Sequence, residues 1–150
     1  MGKNKSQANE LQIKLEIQLD DENVAILVIK EEDDPKKTVD KFCKENGIYL
    51  IEDAAEAHGQ QQMGQLCGSF GDISTFSFYA NKHVTTGEGG LVVTDSTETY
   101  KKLVQMRNLD FTKERFKHEN FYWNYRLSGL QASLGISQLK NLDNVIKFTF

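Results

Sequence analysis

Asp53, Ser77 and Lys82 stand in that order along the middle of the chain, and each is of a type that can do chemistry. Asp53 closes a short apolar run, and ligand-binding groups gather at the carboxyl ends of strands in α/β sheets. On its own the same aspartate would serve equally well as a turn or helix cap. Ser77 lies inside an aromatic run, ISTFSFY over 73–79, and Lys82 follows it in the stretch NKHVTTGEGG over 81–90. A lysine held by a dense loop beside apolar strands can lose its proton and act as a nucleophile, whereas a loosely placed one is a solvated surface charge. The glycines of this stretch also read as turn chemistry. Neither GxxxxGK[ST] nor GxGxxG occurs, so no classical phosphate loop is encoded.

Other reactive side chains carry less. His58, His83 and His118 lack the spacing of metal ligands, and no metal site is expected. Cys43 and Cys67 do not form a CxxC pair or a disulfide framework; both read as structural thiols in a reducing, cytoplasmic setting. Phe116, Phe121, Tyr122 and Trp123 could stack bases, but they read better as core or a subunit interface.

The elements that must position these residues follow from periodicity. Strict alternation over LQIKLEIQL, 11–19, predicts a half-buried strand, and VAILVI, 24–29, a second one; the polar tetrad Asp20–Asn23 between them makes a hairpin. Residues 1–10 are polar and read as a disordered tail. Asp34 as cap and Pro35 in the first turn predict a helix running to Lys44 or Glu45 and stopping near Gly47. Strands are expected at 48–51, 73–79 and 91–94, with a glycine-marked loop around 59–72. Helices are expected at 97–107 and, as one long element, at 127–146, while 108–123 shows no period. Strands alternating with helices predict an α/β fold.

The order and spacing of four motifs go further. IEDAAEAHG over 51–59, GSFGD over 68–72, FSFYANKHVTTGEGG over 76–90 and NYRLSGLQASLGISQL over 124–139 together resemble the DegT/DnrJ/EryC1/StrS family of sugar aminotransferases. The preceding KKTVDKFCKENGIYLIEDAA extends the likeness, which covers about residues 36–145 and is closest to nucleotide-sugar 4-aminotransferases of perosamine type. The resemblance implies the large domain of the aspartate aminotransferase fold and a pyridoxal 5'-phosphate cofactor. It places Lys82 where the family's lysine carries the cofactor covalently and then moves a proton, and Asp53 where an anion keeps the pyridinium nitrogen protonated. It makes Ser77 a phosphate contact and sets Glu56 beside the ring oxygen. Asn124 takes the place of an asparagine that reaches the cofactor phosphate of a neighbouring subunit, which implies a homodimer. A nucleotide-linked keto-sugar and an amino-acid donor such as glutamate are the implied substrates.

Length and composition qualify this. The chain has 150 residues, 27% charged, with net charge −4 and a mean hydropathy of −0.53. That balance argues against a nucleic-acid partner, and no apolar run is long enough to span a bilayer as a helix. Gly2 and Ser6 fit an N-myristoylation pattern that often arises by chance. Members of the family are far longer than this chain. The expected domain layout is therefore a tail, a hairpin of unclear origin over 11–34, and a partial transferase large domain over 35–150. The hairpin and the following helix have a ubiquitin-like flavour not typical of the family. A second expectation stands beside the enzyme: a non-catalytic remnant or fused interaction protein that retains the family core.

Overall fold

The computed structural model describes residues 12–111 and 116–149, so Leu11, the first residue of the expected hairpin, and the tail before it lie outside the described residues. The chain divides into two compact units, one ending at Tyr49 and the other beginning at Leu50.

The first unit is a hairpin and a helix. Strand β1 (Gln12–Gln18) pairs antiparallel with β2 (Val24–Lys30), Leu15 opposite Leu27. The turn between them is an Asx turn: the Asp20 carboxylate accepts from the backbone of Glu22 and Asn23 at 3.0 and 2.9 Å. Helix α1 (Pro35–Asn46) starts where its cap residue dictates, the Asp34 carboxylate accepting from the Lys37 N–H at 3.2 Å. It ends on Gly47, whose φ of 64° is the left-handed geometry of a helix C-terminus. α1 lies against β2, and Leu27, Phe42 and Cys43 are the buried residues of this unit among those described.

The second unit is built on a three-stranded sheet ordered β3–β6–β7. β3 (Ile51–Asp53) runs parallel to β6 (Ile73–Ser77), and β6 runs antiparallel to β7 (Gly90–Val93). β3 begins later than the 48–51 expected from its apolar run. The Ile48 N–H closes the end of α1 on the Cys43 carbonyl, and the Leu50 N–H is taken by the Asp72 carboxylate at 2.8 Å. Two short strands occupy the region read as a loop: β4 (Gln61–Gln62) and β5 (Gln65–Leu66), joined through Met63 and Gly64. Helix α2 (Thr97–Arg107) has the expected bounds, with the Ser96 hydroxyl capping the Thr99 N–H.

The long C-terminal helix is two helices, α3 (Gly129–Leu139) and α4 (Leu142–Thr149). Ser128 and Gln131 form a reciprocal capping box that fixes the start of α3. At its end the Asn141 N–H bonds the Gln138 carbonyl, and the Asn141 carbonyl then opens α4 by accepting from Asn144 and Val145. The apolar period carries through this break, which is why the sequence pattern reads as one element. Among the described residues, no helix is long and apolar enough to cross a membrane.

Candidate functional site

In the parallel pair β3–β6, Asp53 ends β3 opposite Thr75, and β6 runs two residues further to end at Ser77, opposite Gly90 of β7. This is where α/β sheets present groups to a ligand. A tight turn follows β3, the Ala57 N–H bonding the Ala54 carbonyl at 3.0 Å, and it carries Glu56 outward. On the other side the chain leaves β6, runs through Lys82 and returns into β7. This loop is stitched at its base: the Phe78 N–H donates to Gly89, while the Phe78 carbonyl accepts from the Thr86 N–H at 2.9 Å and the Thr85 hydroxyl at 3.0 Å. Gln138 of α3 grips the loop from outside, its side chain exchanging two 2.9 Å hydrogen bonds with the backbone of Thr85. Gly87 and Gly89, at φ 81° and 128°, make the return possible.

The consequence is that the Lys82 side chain is only 13% exposed, and its ammonium sits on the carboxylate of Glu56. A solvated surface lysine is thereby excluded. Glu56 is itself 79% exposed. The hydrogen bond and charge of Lys82 hold the Glu56 carboxyl below its ordinary range, against smaller opposing pushes from desolvation and then from Asp53. One Asp53 oxygen accepts from the Ala55 N–H at 3.0 Å. Ser77 accepts from the Tyr79 N–H at 3.2 Å. Lys82, Glu56, Asp53 and Ser77 thus collect around the two strand ends and the loop between them. Asn124 is placed differently: it bridges Asn108, and its side-chain oxygen accepts from the Arg126 backbone and guanidinium at 3.2 and 2.9 Å.

Three residues without a sequence-assigned role shape this region. Glu52, beside Asp53, accepts from the N–H groups of Gly68, Phe70 and Gly71 at 2.6, 2.8 and 3.2 Å and from the Ser74 hydroxyl at 3.0 Å. Burial pushes its carboxyl up, but the hydrogen bonds together outweigh this and hold it below the ordinary value. The 68–71 loop that Glu52 gathers lies 16 to 19 residues further along the chain, so no local sequence signal marks the contact. His58 is buried, with its ring 5.5 Å from that of Phe76 and 6.0 Å from that of Phe78. Neither ring nitrogen has a hydrogen-bond partner among the described residues. Burial, and then the charges of His83 and Lys82, push its proton affinity down. Asp110, fully buried, ties α2 to residues 119–120 by accepting from Gln105, from the backbone and side chain of Asn120, and from the Glu119 N–H at 2.6 Å. Of the aromatic cluster, Phe121 and Trp123 are exposed rather than core.

Comparison with known proteins puts this geometry in a family. Residues 36–148 match the model of the DegT/DnrJ/EryC1/StrS aminotransferase family. The chain belongs to that family. As a family member it is 44% identical over 107 residues to the GDP-perosamine synthase of Vibrio cholerae, covering 71% of this chain and 29% of the relative. It superposes on Helicobacter pylori PseC, an aminotransferase involved in the biosynthesis of pseudoaminic acid, with a TM-score of 0.68 and 33% identity over 75% of this chain and 31% of that one. It is likewise similar to the E. coli GDP-4-keto-6-deoxy-D-mannose-3-dehydratase solved with bound hydrated PLP, with a TM-score of 0.65 and 30% identity over 71% of this chain and 32% of that one. The chain therefore spans about three-tenths of the length of these relatives. Its fold is the α/β fold of the pyridoxal-phosphate-dependent transferases, with the β1–β2 hairpin distinct from that core.

Proposed function

We propose that this chain carries the cofactor-bearing part of a pyridoxal-phosphate-dependent aminotransferase. Its substrate would be a nucleotide-linked keto-sugar, and its amino donor an amino acid such as glutamate. The observation that carries the reading is the half-enclosed Lys82 ammonium paired with Glu56 beside the ends of β3 and β6.

The residues present fit that cofactor. The Lys82 side chain is sheltered from bulk water, and once its ammonium gives up a proton it is the type of group that bonds to an aldehyde. Asp53 uses one oxygen on Ala55, and its second oxygen has no partner among the described residues, which suits it to a pyridinium N–H. Ser77 accepts from Tyr79 but its own hydroxyl proton has no acceptor among the described residues, which suits it to a phosphate. When bound, pyridoxal phosphate supplies an electron-accepting ring that stabilises negative charge at the substrate carbon. The chain's own tasks would then be few. Asp53 holds a proton on the ring nitrogen. Lys82 would hold the cofactor and, as an amine, could carry a proton to or from the substrate carbon. Glu56 keeps the Lys82 amine over the strand ends. Asn124, outside this cluster, would serve the neighbouring subunit of a homodimer. The setting proposed is cytoplasmic.

The test is to incubate the full chain with pyridoxal phosphate, reduce with borohydride, and map the labelled peptide. A label on Lys82 that vanishes in Lys82→Ala is the expected result. A label elsewhere, or none, overturns the cofactor assignment. A Lys82 label without amino transfer from any amino-acid donor would instead favour a cofactor-binding chain that does not turn over.

A further inference from the structure

We propose that the outer edge of β1 is a pairing surface for β1 of a second copy of this chain, extending the two-stranded hairpin into a four-stranded antiparallel sheet. β1 hydrogen-bonds to β2 on one side, and its other edge has no strand partner among the described residues. An open edge of this kind is a template for another strand. Every β1 side chain except Ile17 is exposed, Ile13 by 58% and Leu15 by 47%. On β2, by contrast, Leu27 is buried and α1 lies alongside.

The occupant follows from the sequence of the strand, QIKLEIQ. Turned antiparallel on itself about Leu15, it places Gln12 opposite Gln18, Ile13 opposite Ile17, Lys14 opposite Glu16 and Leu15 opposite Leu15. Both charges then find an opposite charge across the new edge, and the pattern repeats by the two-fold symmetry of an isologous contact. Ile13, Leu15 and Ile17 fall on the same face as their β2 partners Ile29, Leu27 and Ala25, so the apolar face continues across the junction. The neighbouring registers that keep this face together are disfavoured. Sliding the copies one way sets Lys14 against Lys14, and sliding them the other way sets Glu16 against Glu16. The lysine that would ordinarily guard an edge here selects one register. β2 has no such pattern, since Lys30 is its only charged residue.

The test uses the full chain with Lys14→Glu, Glu16→Lys, both together, and an equimolar mixture of the two single variants. Both positions are exposed, and an unchanged circular-dichroism spectrum with a single cooperative melt will establish that the fold is intact. Sedimentation equilibrium in the micromolar range should show the weight-average mass falling about two-fold in each single variant. It should return to the wild-type value in the double variant and in the mixture, because both restore every opposite-charge pair. A mass unmoved by the single swaps, a mixture that stays low, or a wild-type chain already at the mass of the single variants overturns the proposal. The last of these would leave the edge to a strand from a different protein.

Discussion

Glu52 does more for the geometry of the candidate site than its sequence position advertises. Its carboxylate collects three backbone N–H groups and a hydroxyl, tying the 68–71 loop to the strand that ends in Asp53. Three of these donors are backbone groups that no neighbouring strand serves, so losing the acceptor leaves them unpaired. Glu52→Ala should cost about 2–3 kcal/mol of stability, measured by denaturant titration. The pH dependence has a definite sign. The folded carboxyl sits below its ordinary value of 4.5, so its stabilisation is complete above that value and is lost as pH falls through the lower, folded-state value. The wild-type melting midpoint should drop on acidification below about pH 4.5 more steeply than that of Glu52→Gln. Equal acid slopes would show that Glu52 is not the acid-sensitive anchor. The places of Asp53 and Ser77 in strands and of Lys82 in a glycine-marked loop were legible in the sequence, whereas the roles expected of them came from the resemblance and not from position alone. Glu52 was not legible, because one acid among several near a strand end carries no periodic mark, and its partners lie 16 to 22 residues away. The pairing of Glu56 with Lys82, 26 residues apart, was beyond sequence reasoning for the same reason.

Capped elements were the most readable. α1 and α2 begin and end where Asp34, Gly47 and Ser96 place them, because capping is a contact between near neighbours in sequence. The β4–β5 hairpin shows the opposite case. Its strands are glutamine-rich and mostly exposed, so there is no alternation to read, and its two-residue turn is Met63–Gly64 where asparagine–glycine is the usual signal. Met63 nevertheless adopts φ 51° and Gly64 φ 78°. A non-glycine side chain in that left-handed region is strained, and asparagine tolerates it better. Met63→Asn should therefore stabilise the chain by about 1 kcal/mol, read as a higher denaturant midpoint with unchanged slope; a lower midpoint would refute the turn assignment. Gly68 is constrained from both directions. Its φ is 93°, and a Cβ there would overlap the ring of Phe76, which in turn packs on His58. Gly68→Ala should destabilise by about 1–3 kcal/mol, whereas Gly64→Ala, with open space around it, should cost only the left-handed strain.

At the scale of the whole molecule, the two proposed contacts between copies lie in different units. The β1 edge belongs to the unit ending at Tyr49, and Asn124 belongs to the unit beginning at Leu50. Each is a two-fold contact, in which the same patch serves both copies. A chain with two such patches does not stop at a pair unless one pair of copies satisfies both at once. With the patches acting independently, pairs joined through one join again through the other, and four copies is the smallest closed assembly. Lys14→Glu alters only the β1 edge and leaves the sequence around Asn124 unchanged, so with independent patches that variant should settle as a two-copy species while the wild-type chain reaches four. Sedimentation velocity across a micromolar concentration series distinguishes the cases. A Lys14→Glu chain that remains a single copy throughout would remove the subunit contact assigned to Asn124 while leaving Lys82 to be judged by its own labelling experiment. A two-copy Lys14→Glu chain that falls to one copy on Asn124→Asp would instead locate the second contact at Asn124, because the added charge would be buried at that interface without a partner.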